Sequence, residues 1–412
     1  MQVVYERCCG LDVHKQTVVA CVLAPGPDGL TEKVIRTYGT MTAELLDLAD
    51  WLASQGVTHV AMESTGSYWK PVWNLLEDRF TLLLVNARHS KQVPGRKTDV
   101  RDSEWLAELL QHGLLRASFV PDRSQRELRE LTRYRTALIQ ERSAELNRVQ
   151  KTLEGANIKL AAVASEIRGK SSRAMLEALI AGETDAVALA QLARGRMKAK
   201  RPQLEQALAG QMASHQRFLL AQQLAHLDAL DAQIAQVSAE IEARLRPFEP
   251  ILARLQTIPG VGRRVAETLV VEIGPDGSRF PTAGHLASWA GMCPGQQESA
   301  GKRASGRTRQ GNAALRRALV EAAHAAGHTK DTYLAAQYHR LAHRRGKKRA
   351  AVAVGHTILV IVYHLLQRET TYEELGGRYF DERDRQAVQR RLVNRLKALG
   401  YEVTLQPATP AA

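Results

Sequence analysis

Acidic residues are in short supply: 43 Asp and Glu stand against 57 Lys and Arg over 412 residues, leaving a formal net charge of +14 and a pI near 9.8. Such an excess points to a polyanionic partner, most often nucleic acid, although ribosomal and membrane-surface proteins share the bias. Cysteine is scarcer still. Cys8, Cys9, Cys21 and Cys293 form no CxxC pair and three of them fall in one apolar segment, so they read as reduced core residues of a cytoplasmic protein. The N-terminus lacks a basic region followed by an apolar one, so no signal peptide is expected. The apolar run Ala350 to Leu366 falls short of the roughly twenty residues a bilayer span needs, and Gly355, His356 and His364 interrupt it; it reads as a buried helix, with no membrane partner. Metalloprotease and nucleotide-loop signatures are missing too. His324 and His328, like His339 and His343, have the spacing of zinc ligands on a helix but no HExxH glutamate between them. Gly295 and Gly301 have five residues between them, and Arg303 stands where a phosphate-binding loop needs Ser or Thr.

What is present is an alternation of strand and helix patterns in the first third. Cys8 to Val13 and Thr17 to Leu23 read as a hairpin, with a third strand at Lys33 to Tyr38. Ala43 to Ser54 is an amphipathic helix with Leu45, Leu46, Leu48, Ala49 and Leu52 on its apolar stripe. A strand over Thr58 to Glu63, a helix over Tyr68 to Glu77, a strand over Phe80 to Asn86 and a helix opened by Asp99 follow. That order belongs to a ribonuclease-H-like α/β domain, here residues 1–120. Residues 121–250 carry two long charged helices, from Asp122 to about Leu153 and from about Leu204 to Leu245, with leucines spaced by threes and fours. They suggest an antiparallel coiled-coil hairpin, a device for oligomerisation or spacing. The Gly- and Arg-rich stretch between them, 155–202, matches no motif. Residues 251–400 form a mostly helical domain, and 401–412 a disordered tail.

Two kinds of chemistry stand out. The first is acidic. Asp12 sits on the first strand in GLDVHK, Glu63 ends the fourth in AMESTG, and KTDVRDSEWLAELL puts Asp99 and Asp102 three residues apart where a helix begins. Helix capping explains Asp99 and Asp102 on their own, but not Asp12 or Glu63. In a ribonuclease-H-like sheet those two strands are neighbours, so all four carboxylates can converge. Convergence is costly unless hard cations such as Mg²⁺ or Mn²⁺ neutralise it. Two ions about 4 Å apart suit phosphodiester displacement. The second is basic. IPGVG, Ile258 to Gly262, lies between two helical segments as in a helix-hairpin-helix, where amides around Gly260 and Gly262 can hold a DNA phosphate; a plain helical turn explains it equally well. Gly291 to Asn312 is rich in Gly and Ser, carries Lys302, Arg303, Arg307 and Arg309 against the single acid Glu298, and reads as a flexible loop on a nucleic-acid backbone. Ser299 within it is open enough to act as a nucleophile, although serines fill most such loops for flexibility. HRRGKKR, His343 to Arg349, reads as a solvated nucleic-acid-facing surface. Tyr68 and Trp69 suit base stacking or core packing equally.

GLDVHK, AMESTGSYW and KTDVRDSEWLAELL resemble the DEDD motif blocks of the Piv/MooV invertases and the transposases of the insertion sequence 110 family. The segment from IPGVG through GNAALRRAL resembles that family's C-terminal transposase domain. The resemblance covers both ends of the chain, and the motif-bearing domains flank the predicted coiled coil in the family's order. It implies a RuvC-like metal site at Asp12, Glu63, Asp99 and Asp102, a mostly α C-terminal domain carrying a nucleophilic serine that matches Ser299, and recombination of donor and target DNA guided by a structured bridge RNA. A homo-oligomer, dimer or tetramer, acting in the cytoplasm at the nucleoid is expected. A metal-dependent, structure-specific nuclease using activated water is the main alternative, and a non-catalytic nucleic-acid scaffold a third.

Overall fold

Alternating apolar residues near the N-terminus become β1 (Cys8–Val13), antiparallel to β2 (Thr17–Pro25), which pairs in turn with β3 (Thr31–Gly39). After α1 (Thr42–Ser54), strand β4 (His59–Glu63) returns beside β1 and parallel to it. Then come α2 (Trp69–Leu76), β5 (Thr81–Val85), parallel to β4, and α3 (Asp102–Gln111). The sheet order is β3-β2-β1-β4-β5, so the strands bearing Asp12 and Glu63 are neighbours as the sequence pattern requires. The structure, a computed structural model, describes residues 2–27, 30–64, 66–86, 102–295, 297–299, 302–305 and 307–406. The chain divides into two compact units, Met1–Asp122 and Arg123–Ala412.

Strand alternation sorts the sheet's two faces. Cys9, Leu11, Val60 and Met62 pack with Leu48 and Leu52 of α1 and with Val72 and Leu76 of α2. Cys8, Cys21 and Ala61 pack with Ala107 and Leu110 of α3. Each leucine fully buried in these layers contributes roughly 2 kcal/mol. Burial pushes the Cys8 and Cys21 thiols up to about 12, and all four cysteines are free thiols. Of the stripe expected on α1, Leu46 faces outward, and Trp51 is buried in the sheet-facing cluster instead.

The second unit opens with α4 (Arg123–Gly155), which packs along α9 (Ser214–Leu245). Arg244 bonds Glu127, Leu138 packs on Leu230 and Ile234, Arg142 bonds Asp231, and Thr152 bonds Gln223. Partner numbers fall on one helix as they rise on the other, so the pair is antiparallel. The second helix starts at Ser214 and not near Leu204. Leu204 belongs to the separate α8 (Arg201–Leu208), and the chain turns at Gly210, whose Cα lies so close to the Ala156 carbonyl that a Cβ would come within 2.4 Å. Before α8, the unmatched stretch folds as α5 (Leu160–Val163), α6 (Lys170–Ala181) and α7 (Ala186–Gln191). Their Leu160, Met175, Leu176 and Leu189 share a core with Leu153, Leu220 and Leu224 of the long pair.

Next come α10 (Glu249–Leu255), α11 (Arg263–Ile273), α12 (Ala283–Trp289), the short strands β6 (Gln297–Ser299) and β7 (Lys302–Ser305), α13 (Ala313–Ala326), α14 (Tyr333–Arg345), α15 (Lys347–Arg368), α16 (Tyr379–Arg383) and α17 (Arg385–Ala398). Residues 401–406 form no helix or strand, and the rest of the expected tail lies outside the described residues. By length and composition α15 could cross a membrane. It packs instead on α12, α13 and α14, burying Val354, Ile358, Leu359 and Val362.

A buried ion cluster ties α4 to α11. Glu272 is fully buried; Arg133 donates to both its oxygens at 2.8 and 2.9 Å, Arg129 lies 3.2 Å away and Asn312 donates at 2.6 Å. Beside it, Glu267 accepts from Arg135 at 2.7 Å and from Arg263 at 2.9 Å. Glu272→Ala leaves two guanidinium groups without their counter-charge and should cost about 3–5 kcal/mol. Thermal unfolding checks this, and a melting curve superimposable on that of the wild type would contradict it.

Candidate active site

Three of the four expected acidic residues, Asp12, Glu63 and Asp102, stand toward one end of the sheet by their backbone positions. Asp12 follows Gly10 by two positions on β1 and Glu63 follows Ala61 by two on β4, so both project from the face that α3 covers. Gly10 explains how closely α3 sits there: a Cβ on it would come within 2.2 Å of the Ser103 carbonyl and 2.5 Å of the Ala107 amide. The helix runs against β1, for its last residue, Gln111, accepts from the amides of Val4 and Tyr5, ahead of the strand. Its first residue, Asp102, therefore lies toward the end where β1 reaches Asp12 and β4 reaches Glu63. Gly10→Ala should push α3 off the sheet and lower stability, which thermal unfolding will show; a melting temperature equal to that of the wild type would contradict it.

Asp12 and Glu63 are half-buried and Asp102 is exposed. Oδ2 of Asp12 lies 3.1 Å from Nε2 of His14. Further along α3, Lys33 of β3 bonds Glu104 at 3.0 Å and lies 3.6 Å from Glu108. The Glu104 hydrogen bond is the main cause raising the Lys33 pKa. Among the described residues no three His, Cys, Asp or Glu side chains gather tightly enough to hold a metal, and Asp99 lies outside the described residues. The helix expected to open at Asp99 is described from Asp102 onward. As donors, the carboxylates at this edge are the hard oxygens that suit Mg²⁺ or Mn²⁺. Nearby, Trp69 packs edge-on to Trp73 in the core, while Tyr68 is exposed.

In the second unit, the segment read as a flexible loop is a β-hairpin. Gly295 donates to the Arg307 carbonyl at 2.8 Å and Pro294 bridges Thr308, closing a neck below β6 and β7. Gly291 and Gly311 cross beneath it so closely that a Cβ on Gly311 would meet the Gly291 amide at 2.3 Å. Ser299 pairs with Lys302 and Gln297 with Ser305, which puts Ser299 at the hairpin's far end and Ser305 at its base. Arg303 lies on β7 opposite Glu298, and Arg307 and Arg309 are exposed at the neck. Arg316, which sequence reasoning passed over, donates to Thr308 at 2.6 Å. Its only signal was its place one turn into the helix that follows the basic segment.

The IPGVG turn joins α10 to α11. Gly260, at φ +86°, has its Cα against α13: a Cβ would meet the Ala322 carbonyl at 2.3 Å. Packing therefore explains Gly260 by itself. Gly262 is exposed with open space around it, just ahead of the first amides of α11. Of the two histidine pairs, His324 places Nδ1 3.1 Å from the Tyr338 hydroxyl.

Two family models match the chain. One, named for the DEDD motif of IS110 and described as "Transposase", spans residues 9–158; the other, "Transposase IS116/IS110/IS902 family", spans 252–340. A probable family 20 transposase of Pseudomonas aeruginosa is 27% identical over 320 residues, covering 76% of this chain and 85% of that protein. The transposase for insertion sequence element IS1111A of Coxiella burnetii is 26% identical over 378 residues, 88% of this chain and 90% of that one. A pilin gene-inverting protein of Moraxella bovis is 51% identical over 45 residues, 11% of this chain and 14% of that protein.

Proposed function

Because the chain belongs to the IS110 family of transposases, and is thereby a DNA-processing enzyme, we propose that it exchanges DNA strands through a covalent phosphoserine under the guidance of a structured bridge RNA. The observation that supports the metal-assisted part of this reading is that Asp12, Glu63 and Asp102 stand toward one end of the sheet, on the face covered by α3. The sheet order supports a RuvC-like, ribonuclease-H-like fold for the N-terminal unit. Asp12, Glu63, Asp102 and, by its place three residues ahead, Asp99 would hold Mg²⁺ or Mn²⁺, which when bound would stabilise charge on the oxygens around phosphorus.

Ser299 supplies the nucleophile. Its Oγ forms a bond to phosphorus as the bond from phosphorus to a deoxyribose 3′-oxygen breaks, and the serine proton ends on that 3′-hydroxyl. A 3′-hydroxyl of the other duplex then attacks the phosphoserine and restores the free serine, so the bond energy is conserved and no ATP is needed. Ser299 at the far end of a narrow hairpin suits this role, because a hairpin can reach a phosphodiester without steric conflict from its own core. The excess of basic residues without an evident base-reading module suits a division of labour in which RNA pairing reads sequence and protein grips backbone.

The acids and Ser299 reside in different units of the chain. We expect a dimer or tetramer in which Asp102→Ala and Ser299→Ala variants, each inactive alone, regain strand exchange when mixed. The RNA component has its own test: protein purified from cells carrying the whole element should bring down one defined RNA whose loops pair with donor and target DNA. Recovery of only random cellular RNA would remove the guide. At the hairpin, neutralising Lys302, Arg303, Arg307 and Arg309 should lower the salt slope of DNA binding by about 0.9 for each phosphate no longer neutralised. An unchanged slope would place the hairpin away from nucleic acid.

A further inference from the structure

Beside the hairpin neck, where α14 hands over to α15, lies a cavity of about 1200 Å³. Arg307, Arg316, Arg344, Arg345, Lys348 and Arg349 line it, and among the described residues no acid does. Arg344, Arg345, Lys348 and Arg349 are exposed and make its rim, while the buried Met292 and the half-buried Leu341, Val352 and Ala353 make an apolar floor, with Gln337, His356 and Thr357 beside it. Several arginines elsewhere in this unit are matched with carboxylates, as Arg173 is with Asp228 and Glu177, or Arg244 with Glu127 and Glu240. Here Arg344, Arg345, Lys348 and Arg349 are ion-paired to no described carboxylate. The turn at Gly346 brings the basic end of α14 against the start of α15, whose first turn is Lys347, Lys348 and Arg349 with no acid. Cations at a helix N-terminus oppose the macrodipole, and the open amides there favour an anion. Charge and dipole therefore both call for a polyanion at this rim.

Shape selects among polyanions. A duplex presents a convex backbone and hides its bases, so it cannot use an apolar floor set below a basic rim. An unpaired strand can, with phosphates on the rim and base faces on the floor. We propose that this cavity holds an unpaired DNA strand next to the hairpin that carries Ser299. The choice of DNA rests on the strand-exchange reading, since a strand in transit between duplexes is unpaired beside the nucleophile; the choice of an unpaired strand rests on the cavity alone.

The test uses the full chain, with a labelled oligothymidylate, a duplex of equal length and an oligouridylate followed by fluorescence anisotropy at several salt concentrations. Val352→Met fills the floor without changing a charge or adding an aromatic face on which a base could stack. It should weaken oligothymidylate binding about tenfold, by excluding one base from the floor, and leave duplex binding unchanged. Arg345→Ala with Lys348→Ala should lower the single-strand salt slope by about 1.4, two phosphates at about 0.7 each. Thermal melting confirms folding, and Ala353→Leu, a second filler with the same expectation, replaces Val352→Met should that variant melt early. Wild-type binding by the filled variant, parallel losses for single strand and duplex, or tighter binding of oligouridylate than of oligothymidylate would each overturn the proposal. A failure of the phosphoserine reading would show as wild type forming no protein–DNA adduct while oligothymidylate binding keeps its dependence on Val352, Arg345 and Lys348, so that failure and a failure of this proposal give different results.

Discussion

Asp102→Ala removes strand exchange by at least about a thousandfold while nucleic-acid binding persists: that is the expected result, and it holds equally for Asp12→Ala, Glu63→Ala and Asp99→Ala. A divalent cation at a transferring phosphoryl group is worth several kcal/mol of transition-state charge stabilisation, and losing one hard ligand forfeits most of it. Binding of DNA and RNA depends on the basic residues and should not follow. Stability separates the metal-ligand role from a merely structural one. As an exposed acid in the first turn of α3, Asp102 contributes to the helix about 0.3–1 kcal/mol through the dipole. Against that, relief of repulsion from neighbouring carboxylates should hold or raise the melting temperature without Mg²⁺. Glu104, in the same first turn but bonded to Lys33, is the control. Glu104→Ala loses an ion pair and should keep strand exchange. Full activity in Asp102→Ala, or equal loss in Glu104→Ala, would sink the acidic site.

The site's framework could be read from sequence because two periodicities coincide there. Apolar alternation marks β1 and β4, and once their order suggested that they pair, Asp12 and Glu63 had to share a face with Gly10 and Ala61. The start of α3 was harder to fix, because in the sequence Asp99 and Asp102 both suit a helix's first turn, and Asp99 lies outside the described residues. Three features escaped for physical reasons. The stretch from 155 to 202 forms helices of 4, 12 and 6 residues, α5 to α7, too short to display a period, and its core depends on partners in α4 and α9. Leu204 kept the leucine spacing of the second long helix, and only the close approach at Gly210, a tertiary fact, separates the two. The hairpin was hidden because QES and KRAS lack strand-type alternation; its neck, where Gly291 crosses Gly311, holds it together. The acid in VVEIG was a visible signal, a lone Glu272 inside an apolar run, yet its partners Arg129 and Arg133 lie more than a hundred residues away.

On the proposed phosphoserine mechanism, Ser299→Ala should abolish strand exchange outright, because the hydroxyl that would form the bond to phosphorus is gone. The variant should still assemble with RNA and metal, since one hydroxyl contributes only about 1 kcal/mol to folding. Ser305, at the base of the same hairpin and not at its far end, serves as the matched control, and Ser305→Ala should remain active. A hydrolytic nuclease would behave otherwise: water would be its nucleophile, no protein–DNA bond would form, and Ser299→Ala would at most loosen its grip on phosphate. The most direct measurement is a denaturing gel of end-labelled DNA, stalled after first-strand cleavage, with wild type, Ser299→Ala and Ser305→Ala. A labelled band that stays with protein through denaturation in wild type and Ser305→Ala, and is missing from Ser299→Ala, is the expected result; cleaved DNA free of protein in every lane, with Ser299→Ala still cleaving, would contradict it.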